Sequence, residues 1–552
     1  MCLHPQTSFP VPAETRRVAQ AAFPKGTLCL QSGDHLGTRY HDSQFTALLP
    51  ARGQPSEAPT RLALVTVLQV VEGLSDRQAA DAVRGRIDWK SVLGLELTDP
   101  GFNFRVVSEC RARLLAGKDE MMRLNTLLGR LQAQGLVKAR GRQRTESTHV
   151  LAAVRGLNRL ERVGETLRAA LNSLAVAVPA WLQAHAPQEG YERYGHRVEH
   201  YRLPKSEAAR QQLAAAIGAD GQFLLEAIKA ATDQPWLQTI PAVETLRRVW
   251  TEQYLDHEGA LRWRTLEEMP PAAEQVCSPY DPKARYSTKR SVEWSGYQVP
   301  LTETCEPQTP HMIVNVDTTP ASTADDKMAE VVQAALAERR VLPTEHLVDK
   351  GYTDAQGLLD SQREYQVTII GPVADDPSWQ ARDGTGFDKS HFIVPWDWQV
   401  VMCPAGKQSL SWLRNTYPKN GVMWEARFSR QDCTSCPFRA QGPRAKVEPR
   451  IIGLQPQEPH EVLQAARQQQ TTAPFRQQDA ARAGIESTPG QALRRCGLRQ
   501  SRYLGLANTH WQHVITAVAV NLVRLGEWWN GTPTAPTRCS QFAALSPSLQ
   551  FA

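Results

Sequence analysis

Two carboxylates stand out in this sequence as able to do chemistry. Asp349 closes the apolar run of EHLVDKGYTD and precedes Gly351, which places it at the C-terminal end of a predicted strand. Side chains at such strand ends point into clefts where substrates bind. The same position suits a helix N-cap, and Asp354 nearby keeps that reading open. Glu486 lies in RQQDAARAGIESTPGQALRRCGLRQSRY, where Arg476, Arg482, Arg494, Arg495, Arg499 and Arg502 outnumber Asp479 and Glu486. A carboxylate there could hold a metal beside a phosphate track, since arginine grips phosphate bidentately. It could equally pair with Arg482 one helical turn away, and the spacing alone favours that salt pair.

The elements that must position these groups follow from periodicity and punctuation. Residues 1–56, rich in Pro, Gly and small polar residues, read as an irregular arm. Residues 57–136 read as a helical domain. There Arg61–Glu72 is an apolar helix ended by Gly73, and Ser75 with Gln78 forms a capping box for a helix from Asp76 to about Ile87. Its basic side chains, Arg77, Arg84, Arg86 and Lys90, suit DNA recognition by a helix-turn-helix-like unit, and equally an ordinary helical pair. Residues 137–155 form a basic loop and a short strand at Thr145–Leu151. Residues 156–270 form a helical insertion. Residues 271–371 alternate: strands at 296–304 and 311–319, a helix at Asp325–Arg340, the strand ending at Asp349, a helix at Ala355–Tyr365 and a strand at 366–372. Two antiparallel strands followed by β-α-β predict a mixed sheet with helices on its faces. Residues 372–457 read as a small β-rich insertion, 458–530 as helices and 531–552 as a polar, disordered tail.

Composition narrows the class. The chain has 552 residues, a net charge of +6 and 41% hydrophobic residues, a multidomain globular profile. The apolar stretch Leu62–Val71 is about half a membrane span, and MCLHPQTSFPVP lacks the pattern of a secretory signal. A cytoplasmic chain with no membrane partner is expected. The ten cysteines, mostly isolated, read as free thiols plus at most one metal cluster.

The segments RQRTESTHVLAAVR, ARYSTKRSVEWSGYQVPLTETCE, TTPASTADD, HLVDKGYTD and ARAGIESTPGQALRRCGLRQSRYLGL occur in this order. Together they resemble the transposases of a bacterial insertion-sequence family with a DDE catalytic core. GLSDRQAADAVRGRIDWKSVLGLELTDP resembles that family's InsH-type N-terminal helical domain. The resemblance runs over nearly the whole chain. It implies an α/β fold: a ribonuclease-H-like mixed sheet flanked by helices, with an N-terminal all-helical domain, a helical insertion and a small β-rich insertion. It implies cleavage of the element's ends and strand transfer at a carboxylate triad holding two divalent ions, normally Mg²⁺, with Mn²⁺ able to substitute. Two ions about 3.5–4 Å apart clamp the attacking and leaving oxygens of an in-line displacement. The implied partner is double-stranded DNA, as terminal inverted repeats and target, bound by a homodimer at the nucleoid.

Carried over position by position, the triad is Glu146, Asp349 and Glu486. Glu146 stands where the family has Asp, one methylene too long, and a displacement of about 1 Å can cost about 10²-fold in rate. A Tyr-x₂-Arg-x₃-Glu pattern matches at Arg482 and Glu486 but has Asp479 at the Tyr position, and Pro489 follows closely. These departures predict an impaired copy; a DNA-binding relic without activity, or a nuclease on the same core, is the alternative. Arg142, Arg144, Lys289, Arg290, Arg482, Arg494, Arg495, Arg499, Arg502 and Tyr503 are candidate DNA contacts. Cys403, Cys433 and Cys436 resemble the family's cysteine cluster, whose further Cys falls on Gly442. Structural zinc takes four ligands, so zinc and loose thiols stay equal alternatives.

Overall fold

The computed structural model describes residues 9–532 apart from 38–39, 49–51, 54–56, 118–119, 200, 202, 258–259, 290, 385, 419–420 and 443–447. At its centre lies the strand Arg142–Leu151, in which β-branched Thr145, Thr148 and Val150 are buried. It pairs antiparallel with Val292–Thr304, from Gln143–Thr304 to Leu151–Gly296. On its other side it pairs parallel with Glu345–Val348, which pairs parallel with Thr368–Ile370. Ile313–Val316 adds to the far edge of Val292–Thr304. The spatial order is therefore 313–316, 292–304, 142–151, 345–348, 368–370. The helices Met328–Glu338 and Ala355–Glu364 lie between the later strands in sequence, as parallel pairing requires. This curled mixed sheet with helices is compatible with the ribonuclease-H-like expectation. Gly296 permits the closest strand approach: a Cβ there would stand 2.2 Å from the Val150 carbonyl oxygen.

The C-terminal helix Leu506–Trp529 is apolar almost all round and correspondingly buried. Its Val514, Val518 and Leu522 share one hydrophobic cluster with Val299, Leu301 and Val316 of the sheet, Leu124 and Leu128 of the helix Met122–Ala133, and Val67 and Val70 of the helix Pro59–Val71. Asn521 in this helix donates to the Ile313 carbonyl and accepts from its amide, 2.8 Å each, fastening the edge strand. The N-terminal helices thus share the core of the sheet. No helix among the described residues is long and apolar enough to cross a membrane.

Capping follows the sequence. Ser75 accepts from the Gln78 amide and Gln78 returns a bond to the Ser75 amide, starting the helix Asp76–Gly85. The 1–56 segment departs from the irregular reading. It contains the helices Ala13–Ala22 and Leu28–Leu36, the second capped by Thr27 and packed through Cys29 and Leu36 into two clusters of the molecule. Their apolar positions are too few to give a sequence signal, and tertiary packing supplies the stability. The helical insertion has its own core, including Leu167, Leu224, Leu246 and Trp250. The β-rich insertion holds a three-stranded antiparallel sheet, Ser409–Tyr417, Gly421–Phe428 and Ile451–Leu454, over Phe392, Val401 and Phe428.

Candidate active site

Glu146 and Asp349 follow directly on the last registered pair of their two parallel strands, Thr145–Val348. Their charges interact. The Glu146 carboxyl is pushed up to about 7, first by burial and next by Asp349, with Asp325 adding to the effect; Lys289 and Arg482 oppose it. The turn after Asp349 is fixed by Tyr352, which is buried and hydrogen-bonded to Ser147, the neighbour of Glu146. Asp354, the alternative helix cap, does cap: it accepts from the Gly357 amide at 3.1 Å. Asp349 makes no such side-chain bond.

A third element crosses this pair. After the helix Ala473–Ala480 the chain narrows to a 3₁₀ segment, Ala481–Glu486, then resumes as the helix Ser487–Cys496. Pro489 stands in the first turn of that last helix, where it has no amide hydrogen to extend an α-helix back to Ile485. Arg482 in the 3₁₀ segment stands 3.6 Å from Asp349 and donates to Asp479 at 2.9 Å. Arg482 therefore pairs with these two carboxylates and not with Glu486, which is exposed. On the strand below, Arg144, Glu146 and Thr148 alternate onto one face. Arg144 donates to the Ala481 carbonyl at 2.6 Å and Thr148 accepts from Arg499 at 2.9 Å. Glu146 thus lies between the two points where the 481–499 stretch is pinned to the strand.

Oxygen donors of this kind suit hard divalent cations, and of the two main causes that raise the Glu146 carboxyl, burial and then the Asp349 charge, a cation would relieve the second. Among the described residues, however, no three His, Cys, Asp or Glu side chains are gathered as a metal-holding group, so Glu486 stands outside such a group with Glu146 and Asp349. Sequence reasoning misses Asp325 as a site residue, although TTPASTADD carries it. It lies 3.5 Å from Lys289, accepts from Gln298 and influences Glu146.

Comparison with known families decides the class. A family described as "Transposase DDE domain" matches residues 402–526, and one described as "Transposase domain (DUF772)" matches residues 17–113. Both matches support an insertion-sequence DDE transposase. No curated protein matches it. The first match covers Arg482 and Glu486; Glu146 and Asp349 precede it. Transposases of this kind act on DNA and generally use divalent metals.

In the transposase structure the candidate DNA contacts divide by burial. Arg144 is buried and committed to Glu303, the Ala481 carbonyl and His311 Nδ1. Arg142 pairs with Glu345 at 2.7 Å. Both serve the sheet, and Arg144, 6% exposed, leaves almost no surface for a phosphate to reach. Tyr503 is partly buried, accepting from Arg111 at 3.0 Å. Arg494, Arg495 and Arg502 are exposed, and Lys289 is paired with Asp325. Arg290 lies outside the described residues. Cys403, Cys433 and Cys436 are free thiols lining one cavity, and Gly442 lines the same cavity.

Proposed function

We propose that this transposase binds the ends of its element and performs DNA cleavage and strand transfer at Glu146, Asp349 and Glu486. The observation that carries the reading is the placement of Glu146, within the central strand, next to the last parallel pair before Asp349 at the end of the neighbouring strand, with Arg482 of the Glu486-bearing segment ion-paired to Asp349. Glu146 and Asp349 would hold divalent ions from the sheet, and Glu486 would complete the set from the segment above. Two such ions, Mg²⁺ or Mn²⁺, would supply a deprotonated nucleophile and stabilise the leaving oxygen. Arg482, pinned between Asp479 and Asp349, orients a phosphate by donating to its oxygens. Exposed Arg494, Arg495 and Arg502 lie in the same C-terminal stretch and hold the duplex through its backbone.

Glu146 places its carboxylate one methylene further from the strand than Asp, and Asp479 sets a negative charge where the phosphate would approach. Both features impair this copy. The test is 3′-end nicking of a labelled duplex carrying the element's terminal repeat, in Mg²⁺ and in Mn²⁺. Metal-dependent nicking that disappears in Asp349→Ala and Glu486→Ala is the expected result. Tight DNA binding with no nicking in either metal, even for Glu146→Asp, would instead mark a DNA-binding relic. Nicking without joining would mark a nuclease.

A further inference from the structure

We propose that Glu303 is a positioning residue, the centre of a buried ionic latch that sets the segment Ala481–Glu486 over the sheet. The inference rests on the site reading above and adds the device that would fix the course of the segment bearing Glu486. Glu303 lies on the strand Val292–Thr304 directly opposite Arg144 and is 0% exposed. Its Oε1 accepts from Arg144 Nε at 2.7 Å. Its Oε2 accepts from Arg524 Nη1 at 2.7 Å and from Thr488 Oγ1 at 2.6 Å. Arg524, on the C-terminal helix, also donates to Thr488 Oγ1 at 2.5 Å, Gln491 Oε1 at 2.9 Å and the His311 carbonyl at 2.6 Å. Arg144 continues to the Ala481 carbonyl at 2.6 Å.

The latch therefore holds the 3₁₀ segment at both ends: at Ala481 through Arg144, and at Thr488, two residues past Glu486, through Glu303 and Arg524. Burial would push the Glu303 carboxyl up, and the two guanidiniums outweigh it and keep the group ionised. A buried ion group of this kind is weak as a source of stability compared with apolar packing. What it specifies is geometry, because each donor has one direction to serve. Gly484 shows how closely the segment is fitted: a Cβ there would fall 2.1 Å from Arg144 Nη1.

Glu303→Gln would leave two guanidiniums short of a counter-charge in the core and can fail to fold, so the deciding variants are Gly484→Ala and Thr488→Val. Each is assayed in the full chain, alone and with Glu146→Asp. Two readouts are used: hydrogen exchange of the 481–488 amides, and Mg²⁺-dependent nicking with kcat separated from DNA affinity. The expected result is exchange at least about tenfold faster confined to 481–488, with strands 142–151 and 292–304 still protected, and kcat lowered about tenfold or more at unchanged DNA Kd. Unchanged local exchange, exchange that rises throughout the molecule, or an unchanged kcat beside a lowered Tm overturns the latch. A chain that never nicks, even with Glu146→Asp, while 481–488 loosens as expected, overturns the site reading and leaves the latch standing.

Discussion

Glu146, midway along the central strand, and Asp349, just past the end of its parallel neighbour, both follow on the pair Thr145–Val348, and the Asp349 charge is, after burial, the largest reason that Glu146 keeps its proton up to about pH 7. An acid whose folded pKa lies above its unfolded value of 4.5 binds more protons folded than unfolded between those pH values.

Metal-free protein should therefore lose stability as pH rises from about 4.5 to 7, by at most about 3 kcal/mol from this group, and no further above. Glu146→Gln should flatten that part of the profile, and Asp349→Asn should shift it toward lower pH. Because the cation competes with the proton, Mg²⁺ affinity should fall as pH drops through 7. Thermal melts across pH 4–8 of the wild type and both variants check it; parallel profiles in all three would refute the coupling.

Glu146→Asp should raise metal-dependent nicking, by about tenfold or more, because one methylene sets the reach of a bridging carboxylate. Asp479→Tyr should add to it, since Asp479 now draws Arg482 at 2.9 Å while Asp349 holds it at only 3.6 Å. The double variant should exceed either single change. Equal nicking by wild type and Glu146→Asp in both Mg²⁺ and Mn²⁺ would show that this copy is not damaged at Glu146.

Arginines that look alike in sequence should behave oppositely. Arg144→Ala strands buried Glu303 with one guanidinium fewer and should cost about 3–5 kcal/mol of stability. Arg494→Glu and Arg495→Glu, on an exposed surface, should leave Tm unchanged. They should lower DNA affinity and reduce the log–log salt slope by about 0.9 for each phosphate that is no longer neutralised. Binding titrations at several salt concentrations, beside melts, separate the two classes; a flat salt response would count against DNA binding by these arginines.

Gly442→Cys should create a zinc site. Cys403, Cys433 and Cys436 already line one cavity with Gly442, and structural zinc takes four ligands. The variant should retain one Zn²⁺ per chain through dialysis, and Co²⁺ substitution should give the thiolate charge-transfer band. Wild type holding zinc equally well would show that three thiols suffice.

Local patterns carried much of this protein in plain view. The Ser75–Gln78 capping box, the strand ending at Asp349 and the alternation over 285–371 depend on neighbours in sequence, so propensity and periodicity reveal them. The ordered motifs likewise identified the family, because their residue types and order survive without coordinates. What sequence could not decide was which charge meets which. By spacing, Glu486 suits Arg482, yet Arg482 turns to Asp479 and Asp349, because a 3₁₀ segment changes the rotation per residue and Pro489 prevents a continuous α-helix. Arg144 reads as one more basic residue in a basic loop, and only its pairing opposite Glu303, with Arg524 arriving from a helix far along the chain, makes it a buried tie. Ion pairs between distant segments depend on burial and dielectric surroundings that folding creates, so tertiary structure alone assigns them.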